Sequence, residues 1–222
     1  MTDKHCVVLG GGGWMMGETP SALDEYILQL SGKENPKVCY VPTATGDSDR
    51  IIERFYDAKL SRQLSHFPLF KPHLNWREHL FEQDIIYVGG GNTRSMLAIW
   101  REWGVDDMLR RCYERGIILC GMSAGAICWF EHGITDSNPE AYSVIAGLGL
   151  LSGLAAAHFN QQDEKYRLFE QFSREHPDTR CIGLSDYAAV HFINGKPYRQ
   201  IYSHPDASVT LKNSQPAVAQ HT

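Results

Sequence analysis

Short apolar runs alternate with longer amphipathic stretches over the first 130 residues of this 222-residue chain. Continuous apolar runs predict buried strands, and they lie at residues 6–9, 38–41, 84–88 and 117–120. The stretches between them carry apolar residues at helical spacing, as at Leu23, Ile27 and Leu30, after a predicted N-cap at Thr19-Pro20. Buried strands that alternate with helices predict an α/β fold, a mostly parallel sheet with helices on both faces.

Two longer helical stretches complete this half of the chain. Asp47 and Ser48 are predicted to cap a helix that reaches Leu64, and a second stretch, residues 93–115, breaks near Gly104. After Phe130 the pattern loosens, and shorter elements are predicted. They are a strand at 154–157, a helix at 164–172, and an antiparallel, hairpin-rich closing segment with short strands at 181–184, 188–193, 198–202 and 208–211.

Composition narrows the class of protein. Hydrophobic residues make up 43% of the chain and charged residues 21%, which is typical of a globular protein with a full core. The net charge is −5 and the lysines and arginines do not cluster, so we expect neither nucleic acid nor a membrane as partner. We predict one domain over residues 1–222, with a frayed tail from about residue 212.

Cysteine usage and the N-terminus predict the compartment. The six cysteines lack CxxC spacing and several lie in apolar runs, which is typical of buried thiols in a reducing compartment. The N-terminal apolar stretch is too short for a signal peptide, and no run approaches the ~20 apolar residues of a membrane span. We therefore expect a cytoplasmic protein. No feature of the sequence indicates an oligomeric state.

The stretch GMSAG, residues 121–125, follows the fourth predicted strand and opens a helix. Ser123 has two interpretations here. It is either a helix N-cap, a position that favours serine, or the nucleophile of a G-x-S-x-G elbow, in which the glycines leave room for the neighbouring backbone. The strand-to-helix context favours the nucleophile.

A nucleophilic serine needs a base and a group that orients it. His158 ends a predicted strand, and ligand sites of open α/β sheets gather where strands end, so His158 is the preferred base over a surface-loop interpretation. His191 lies mid-strand and is expected to be a packed histidine. Asp136 is the preferred third member, in the order Ser…Asp…His. The alternatives are Glu131, Glu140 and Asp186.

An oxyanion hole needs two N–H donors. Ala124 follows the nucleophile and supplies one, and the GGGN run at residues 89–92 ends another strand and can supply the second. That run lacks the Lys-Ser/Thr of a P-loop and the spacing of a dinucleotide site. Neither HxH nor HExxH spacing occurs, so we expect no metal and no cofactor.

These residues together resemble peptidase family S51, the peptidase E group, which includes aspartyl dipeptidase and cyanophycinase. The resemblance rests on VGGGNT (88–93) and GMSAGA (121–126), with further matches at YVPTA (40–44), AHF (157–159) and IGLSD (182–186). It covers roughly residues 7–193. It implies a fold shared with class I glutamine amidotransferases, which is flavodoxin-like.

The resemblance also implies roles for individual residues. Ser123 matches the nucleophile and His158 the base, and Asp136 matches the third member once a gap is introduced. The remaining matches are the oxyanion donors Gly91 and Ala124, and the substrate contacts Asn92 and Arg167, of which Arg167 matches the arginine that reads aspartate in aspartyl dipeptidase.

The sequence thus predicts a serine hydrolase that cleaves a small peptide through an acyl-enzyme, with dipeptides carrying an N-terminal aspartate as the substrates that the resemblance implies. Two alternatives remain open. One is a relative that binds a small ligand or a partner protein at the same rim without cleaving it. The other is an esterase or another hydrolase of non-peptide acyl groups.

Overall fold

The structure, a computed structural model, describes residues 2–213. The last nine residues of the predicted tail lie outside this range. Twelve strands form two sheets of seven and five strands. In spatial order the larger sheet contains β11 (Lys196–Tyr202), β10 (Ala188–Ile193), β1 (His5–Leu9), β5 (Ile118–Met122), β4 (Ile85–Val88), β2 (Lys37–Val41) and β3 (Gln63–His66).

Neighbouring strands from β1 across to β3 run parallel, and their registers place several strand ends side by side. Leu9 of β1 is paired with Met122 of β5, and Val88 of β4 with Gly121 of the same strand. The strand β10 is antiparallel to both β1 and β11. The carboxyl ends of β1, β5 and β4 therefore meet at one edge of the sheet.

The smaller sheet contains, in spatial order, β12 (Val209–Lys212), β9 (Cys181–Leu184), β8 (Leu151–Ala156), β6 (Phe130–Thr135) and β7 (Ser143–Ala146). Its three central strands β9, β8 and β6 are parallel, and the outer strands β12 and β7 are antiparallel to their neighbours. Ala156 of β8 is paired with Gly183 of β9, so these two strands also end together.

Seven α-helices accompany the sheets within the described range. They are α1 (Ala22–Gln29), α2 (Asp49–Asp57), α3 (Trp76–Phe81), α4 (Thr93–Trp103), α5 (Val105–Glu114), α6 (Ala124–Ile127) and α7 (Glu164–Glu175).

The strands β1, β5, β4 and β2 of the larger sheet are buried on both faces, because alternate side chains enter different cores. In β1, Val7 and Leu9 join the core that α1 and α2 cover, whereas Cys6 and Val8 join the core of α3, α4 and α5. The latter core also includes residues of the smaller sheet, such as Ile182 and Leu184. The helix α7 packs through Phe169 and Phe172 in a third core. The predicted α/β class, a mostly parallel sheet with helices on both faces, is confirmed.

Several predicted elements differ from the structure. The helix predicted to reach Leu64 ends at Asp57, and Leu64 lies in β3, a polar edge strand without an apolar run. The first helix is capped by Ser21 rather than Thr19, because the Ser21 hydroxyl accepts the Leu23 amide. Residues 181–184 form no hairpin, since β9 runs parallel to β8. Strands β6 and β7 were not predicted. None of the helices in residues 2–213 is long and apolar enough to cross a membrane.

Candidate active site

Ser123 lies in the turn between β5 and α6, with φ 57° and ψ −114°. Positive φ is rare for a residue with a Cβ and carries a conformational cost of order 1–3 kcal/mol, so the surrounding fold must hold it. Ser123 occupies the N-cap position of α6, but its side chain makes no capping hydrogen bond. Capping therefore does not occupy the hydroxyl, which remains available for chemistry.

The two glycines that flank Ser123 allow this turn to approach β4. A Cβ on Gly125 would overlap the Val88 carbonyl oxygen, and a Cβ on Gly121 would lie 2.6 Å from the same atom. No other residue type fits at these two positions without moving the backbone of β4. The G-x-S-x-G pattern is thus explained by packing around a strained serine.

The neighbours of Ser123 follow from the strand registers. Its amide donates to the Leu9 carbonyl of β1 at 3.1 Å. On the other side, a Cβ built on Gly90 would lie 3.1 Å from the Ser123 Cβ. Ser123 therefore lies between the glycine-rich loops that follow β1 and β4.

His158 reaches the same place from the smaller sheet. It follows β8 by two residues, has φ 47°, and donates its amide to the Gly10 carbonyl at 3.2 Å. The carbonyls of two consecutive residues, Leu9 and Gly10, thus accept the amides of Ser123 and His158. This shared backbone segment brings the backbones of Ser123 and His158 to the same end of β1.

The carboxylate that contacts His158 is Asp186. Its Oδ1 lies 2.5 Å from His158 Nδ1, and the hydrogen bond from the imidazole lowers the pKa of Asp186 below its ordinary value, with burial acting in the opposite direction. A Cβ on Gly11 would overlap Asp186 Oδ1 and lie 3.0 Å from His158 Nδ1. The loop after β1 therefore packs directly on the pair.

Asp136, the preferred third member, does not make this contact. It is exposed after β6, and within residues 2–213 it forms no hydrogen bond with His158. Asp186 follows β9, the strand next to β8, whereas Asp136 follows the strand on the other side. The structure thus corrects the expected partner to Asp186, one of the alternatives. Glu131 accepts the Gly153 amide and Glu140 is exposed.

A buried lysine fixes the end of β8. Lys165 of α7 donates through Nζ to the Ala157 carbonyl at 2.7 Å and reaches the His158 carbonyl at 3.3 Å. Burial lowers the pKa of Lys165, and the nearby carboxylates of Asp136, Asp163 and Asp186 oppose the decrease. Sequence reasoning did not single out this residue.

The two predicted oxyanion donors have amides without a protein acceptor. Across residues 2–213 neither the Gly91 nor the Ala124 N–H donates a hydrogen bond, although their neighbours do: the Asn92 amide donates to the Ala44 carbonyl at 2.8 Å. Gly91 has φ 138° and packs on the Ala44 backbone. A free amide is a requirement for binding a developing negative charge.

The two predicted substrate contacts occupy different surroundings. Asn92 caps α4, with Oδ1 accepting the Ser95 amide at 2.9 Å, and its Nδ2 donates to the Ser137 carbonyl at 3.4 Å. Arg167 is exposed on α7 and does not line the cavity beside His158. The structure therefore does not bring Arg167 to the pair of His158 and Asp186.

A cavity of about 740 Å³ adjoins the pair. Its walls come from residues 158–163, from residues 185–187 and from the segment that leads into β12, and they include His158, Asp163, Asp186 and Asp206. None of the lining residues, all within the described range, is a lysine or an arginine. Residues 2–213 also contain no group of three or more His, Cys, Asp or Glu side chains arranged to hold a metal ion.

The model of peptidase family S51 matches residues 6–199. The chain belongs to peptidase family S51. A peptidase from Bacillus subtilis named uncharacterized peptidase YgaJ is 40% identical over 207 residues, which is 92% of this chain and 90% of the relative. Membership of S51 and this relative support a peptidase function.

Two solved structures share the fold. A putative peptidase E protein from Listeria monocytogenes EGD-e has a TM-score of 0.63 at 16% identity. The match covers 90% of this S51 chain and 99% of the Listeria protein. A peptidase from an acI-B1 Actinobacterium has a TM-score of 0.61 at 15% identity and covers 93% of both chains. At these identities the likeness concerns the fold.

Proposed function

We propose that this S51 member is a serine-type peptidase that cleaves small peptides through Ser123, His158 and Asp186. The observation that carries the proposal is the hydrogen bond between His158 Nδ1 and Asp186 Oδ1. The strained Ser123 lies nearby, and its hydroxyl makes no capping hydrogen bond to α6. A carboxylate accepts from an N–H, so Nδ1 carries the proton and Nε2 is left with a free lone pair. An imidazole in this tautomer can act as a base.

The reaction follows from these groups. Ser123 Oγ attacks the carbonyl carbon of the scissile amide while His158 Nε2 takes the hydroxyl proton. The amides of Gly91 and Ala124 stabilise the negative oxygen of the tetrahedral intermediate. When the C–N bond breaks, His158 returns the proton to the leaving amine. Water then attacks the ester, His158 takes its proton, and the C–O bond breaks as Ser123 regains its hydrogen.

The cavity beside His158 suggests which small peptides fit. Three aspartates line it, and Arg167, the residue that would read an aspartate side chain, lies elsewhere. A substrate carboxylate would enter a negative field, whereas a free α-amino group would be attracted. We therefore propose an exopeptidase that accepts short peptides with a neutral or basic N-terminal residue.

A serine-directed fluorophosphonate tests the proposal. We expect it to label Ser123 in the wild-type chain and to leave the Ser123→Ala and His158→Ala variants unlabelled. Hydrolysis of a panel of dipeptides and esters would then separate a peptidase from an acyl hydrolase of another kind. A folded wild-type chain that is not labelled and cleaves no member of the panel would contradict the proposal and favour a binding protein.

A further inference from the structure

The loop of residues 10–13, here called the glycine loop, follows Leu9, whose carbonyl accepts the Ser123 amide, and packs through Gly11 on the His158–Asp186 pair. Side chains hold the far end of this loop by accepting hydrogen bonds from backbone amides. The Gly13 amide donates to Glu18 Oε2 at 2.7 Å, and the next amide, that of Trp14, donates to Asp24 Oδ2 at 2.7 Å. The far end of the glycine loop is thus fixed by two carboxyl groups.

Asp24 differs from Glu18 in its burial. Asp24 belongs to α1 and is only 3% exposed, and within residues 2–213 its Oδ1 has no hydrogen-bond partner. Glu18 is half-buried and also accepts the Ser203 hydroxyl at 3.2 Å. A Cβ on Gly13 would lie 2.9 Å from Asp24 Oδ2, so the loop backbone is in close contact with the carboxyl group.

The surroundings of Asp24 favour its neutral form. Burial raises the pKa of Asp24 to about 7; the Trp14 amide acts in the opposite direction, and the charge of Glu18 adds to the increase. The other titratable groups that face it are Tyr87 of β4 and Cys120 of β5, both fully buried. The guanidinium of Arg54, on α2, contacts the adjoining turn through the Met15 carbonyl at 2.9 Å.

We propose that Asp24 is a positioning residue of the active site, whose carboxyl group holds the Trp14 amide and through it the glycine loop against His158 and Asp186. The proposal rests on the proposed function for its consequence in catalysis. Its structural part, that Asp24 holds the loop, stands without it.

How firmly Asp24 holds the loop depends on whether its carboxyl group is protonated. A neutral carboxyl accepts the Trp14 amide with one oxygen and places no charge in the apolar surroundings. Ionisation places a negative charge in this buried position next to Glu18, which holds the neighbouring amide. Opening of the loop exposes Asp24 to water, where its pKa is about 4, so the hold on the loop weakens as the pH rises from about 4 to about 7 and changes little above pH 7.

Two measurements on the full chain test the proposal. The first is the hydrogen-exchange protection of the Gly12–Trp14 amides, corrected for intrinsic exchange, from about pH 4 to about pH 8. The second is the rate at which a fluorophosphonate labels Ser123 over the same range. The variants are Asp24→Asn, which keeps an acceptor oxygen, and Asp24→Ala, which removes it. Asp84→Asn is the matched control, because Asp84 accepts the Lys37 amide at the opposite end of β4.

We expect Asp24→Asn to keep the protection of the three amides within about threefold of wild type near pH 4 and to lose the decline in protection that wild type shows between about pH 4 and pH 7. Asp24→Ala should lower protection of the three amides and slow labelling by roughly 10- to 100-fold, because a small displacement of reacting groups has a cost of that order. Asp84→Asn should match wild type in both.

The two proposals can fail separately. If wild-type Ser123 is not labelled, the proposed function fails, but the hydrogen-exchange protection of the loop amides still tests the role of Asp24. If folded Asp24→Ala protects the three loop amides as well as wild type does, the positioning role is overturned. Should Asp24→Ala not fold, Asp24→Leu, which also removes the acceptor but fills the buried space, decides in its place.

Discussion

His158 and Asp186 each lie two residues beyond the ends of adjacent parallel strands, and their side chains meet at 2.5 Å. The register that pairs Ala156 with Gly183 brings them together, although 28 positions separate them in the chain. Asp186 is thus better placed than Asp136 to orient the imidazole.

Replacing the two aspartates separately tests this relationship. We expect Asp186→Asn to lower kcat, or the rate of fluorophosphonate labelling, by roughly 10²–10⁴, since the amide no longer fixes the Nδ1–H tautomer. Asp136→Asn should change the rate by less than about threefold because its side chain is exposed and does not touch His158. Equal losses in the two variants would contradict the assignment of Asp186.

Gly11 is predicted to tolerate no side chain. Gly11→Ala places a methyl group against Asp186 Oδ1 and His158 Nδ1, so it should abolish most Ser123 labelling. Gly17→Ala is the matched control in the same segment. A Cβ on Gly17 meets nothing within 4 Å, although its φ of 85° makes alanine strained. We expect Gly17→Ala to lower stability by about 1 kcal/mol and to keep labelling. Full labelling of folded Gly11→Ala would count against close packing of the loop on the pair.

The carboxylates around the cavity predict substrate preference. In a panel of dipeptides that share a C-terminal leucine, kcat/KM for N-terminal alanine or lysine should exceed that for aspartate by at least about tenfold. Arg167→Ala should leave every ratio unchanged, because Arg167 does not line the cavity. A preference for aspartate that Arg167→Ala removes would restore the assignment implied by the family resemblance.

Asp24 should also make the stability of the fold depend on pH. The folded chain keeps the Asp24 proton up to about pH 7, whereas the unfolded chain loses it near pH 4, so raising the pH between these values favours unfolding. Relative to Asp24→Asn, wild type should lose up to about 1.4 kcal/mol per pH unit over this range. Urea denaturation of both proteins at several pH values measures the difference. A constant difference from pH 4 to pH 8 would show that Asp24 does not titrate in this way.

Much of the larger sheet follows from local sequence. The apolar runs that become β1, β2, β4 and β5 are buried on both faces, so their length and the glycine or proline that ends each run are enough to predict them. The apolar pattern does not predict the strand β3 (QLSH), because an edge strand need not be apolar. In β6, FEHGIT mixes charged and apolar residues without a clear period.

The site shows the same division between local and long-range information. Ser123, Ala124 and Gly91 lie in short motifs with their own backbone chemistry, and His158 ends a recognisable apolar run. Both β6 and β9 lie beside β8, so the choice between Asp136 and Asp186 depends on which of the two following loops directs its carboxylate toward His158, and tertiary packing rather than spacing sets this. The contacts of Gly11 and Asp24 are likewise invisible to a local pattern. The available signal for Asp186 was its place in IGLSD (182–186), directly after the predicted strand 181–184.

The carbonyls of Leu9 and Gly10 join residues that come from two different sheets: Ser123 from one, and His158, the partner of Asp186, from the other. The alignment of the reacting atoms therefore depends on how the two sheets pack against each other, and not on either sheet alone. A small displacement of one sheet relative to the other would misalign the reacting groups while every strand stayed intact.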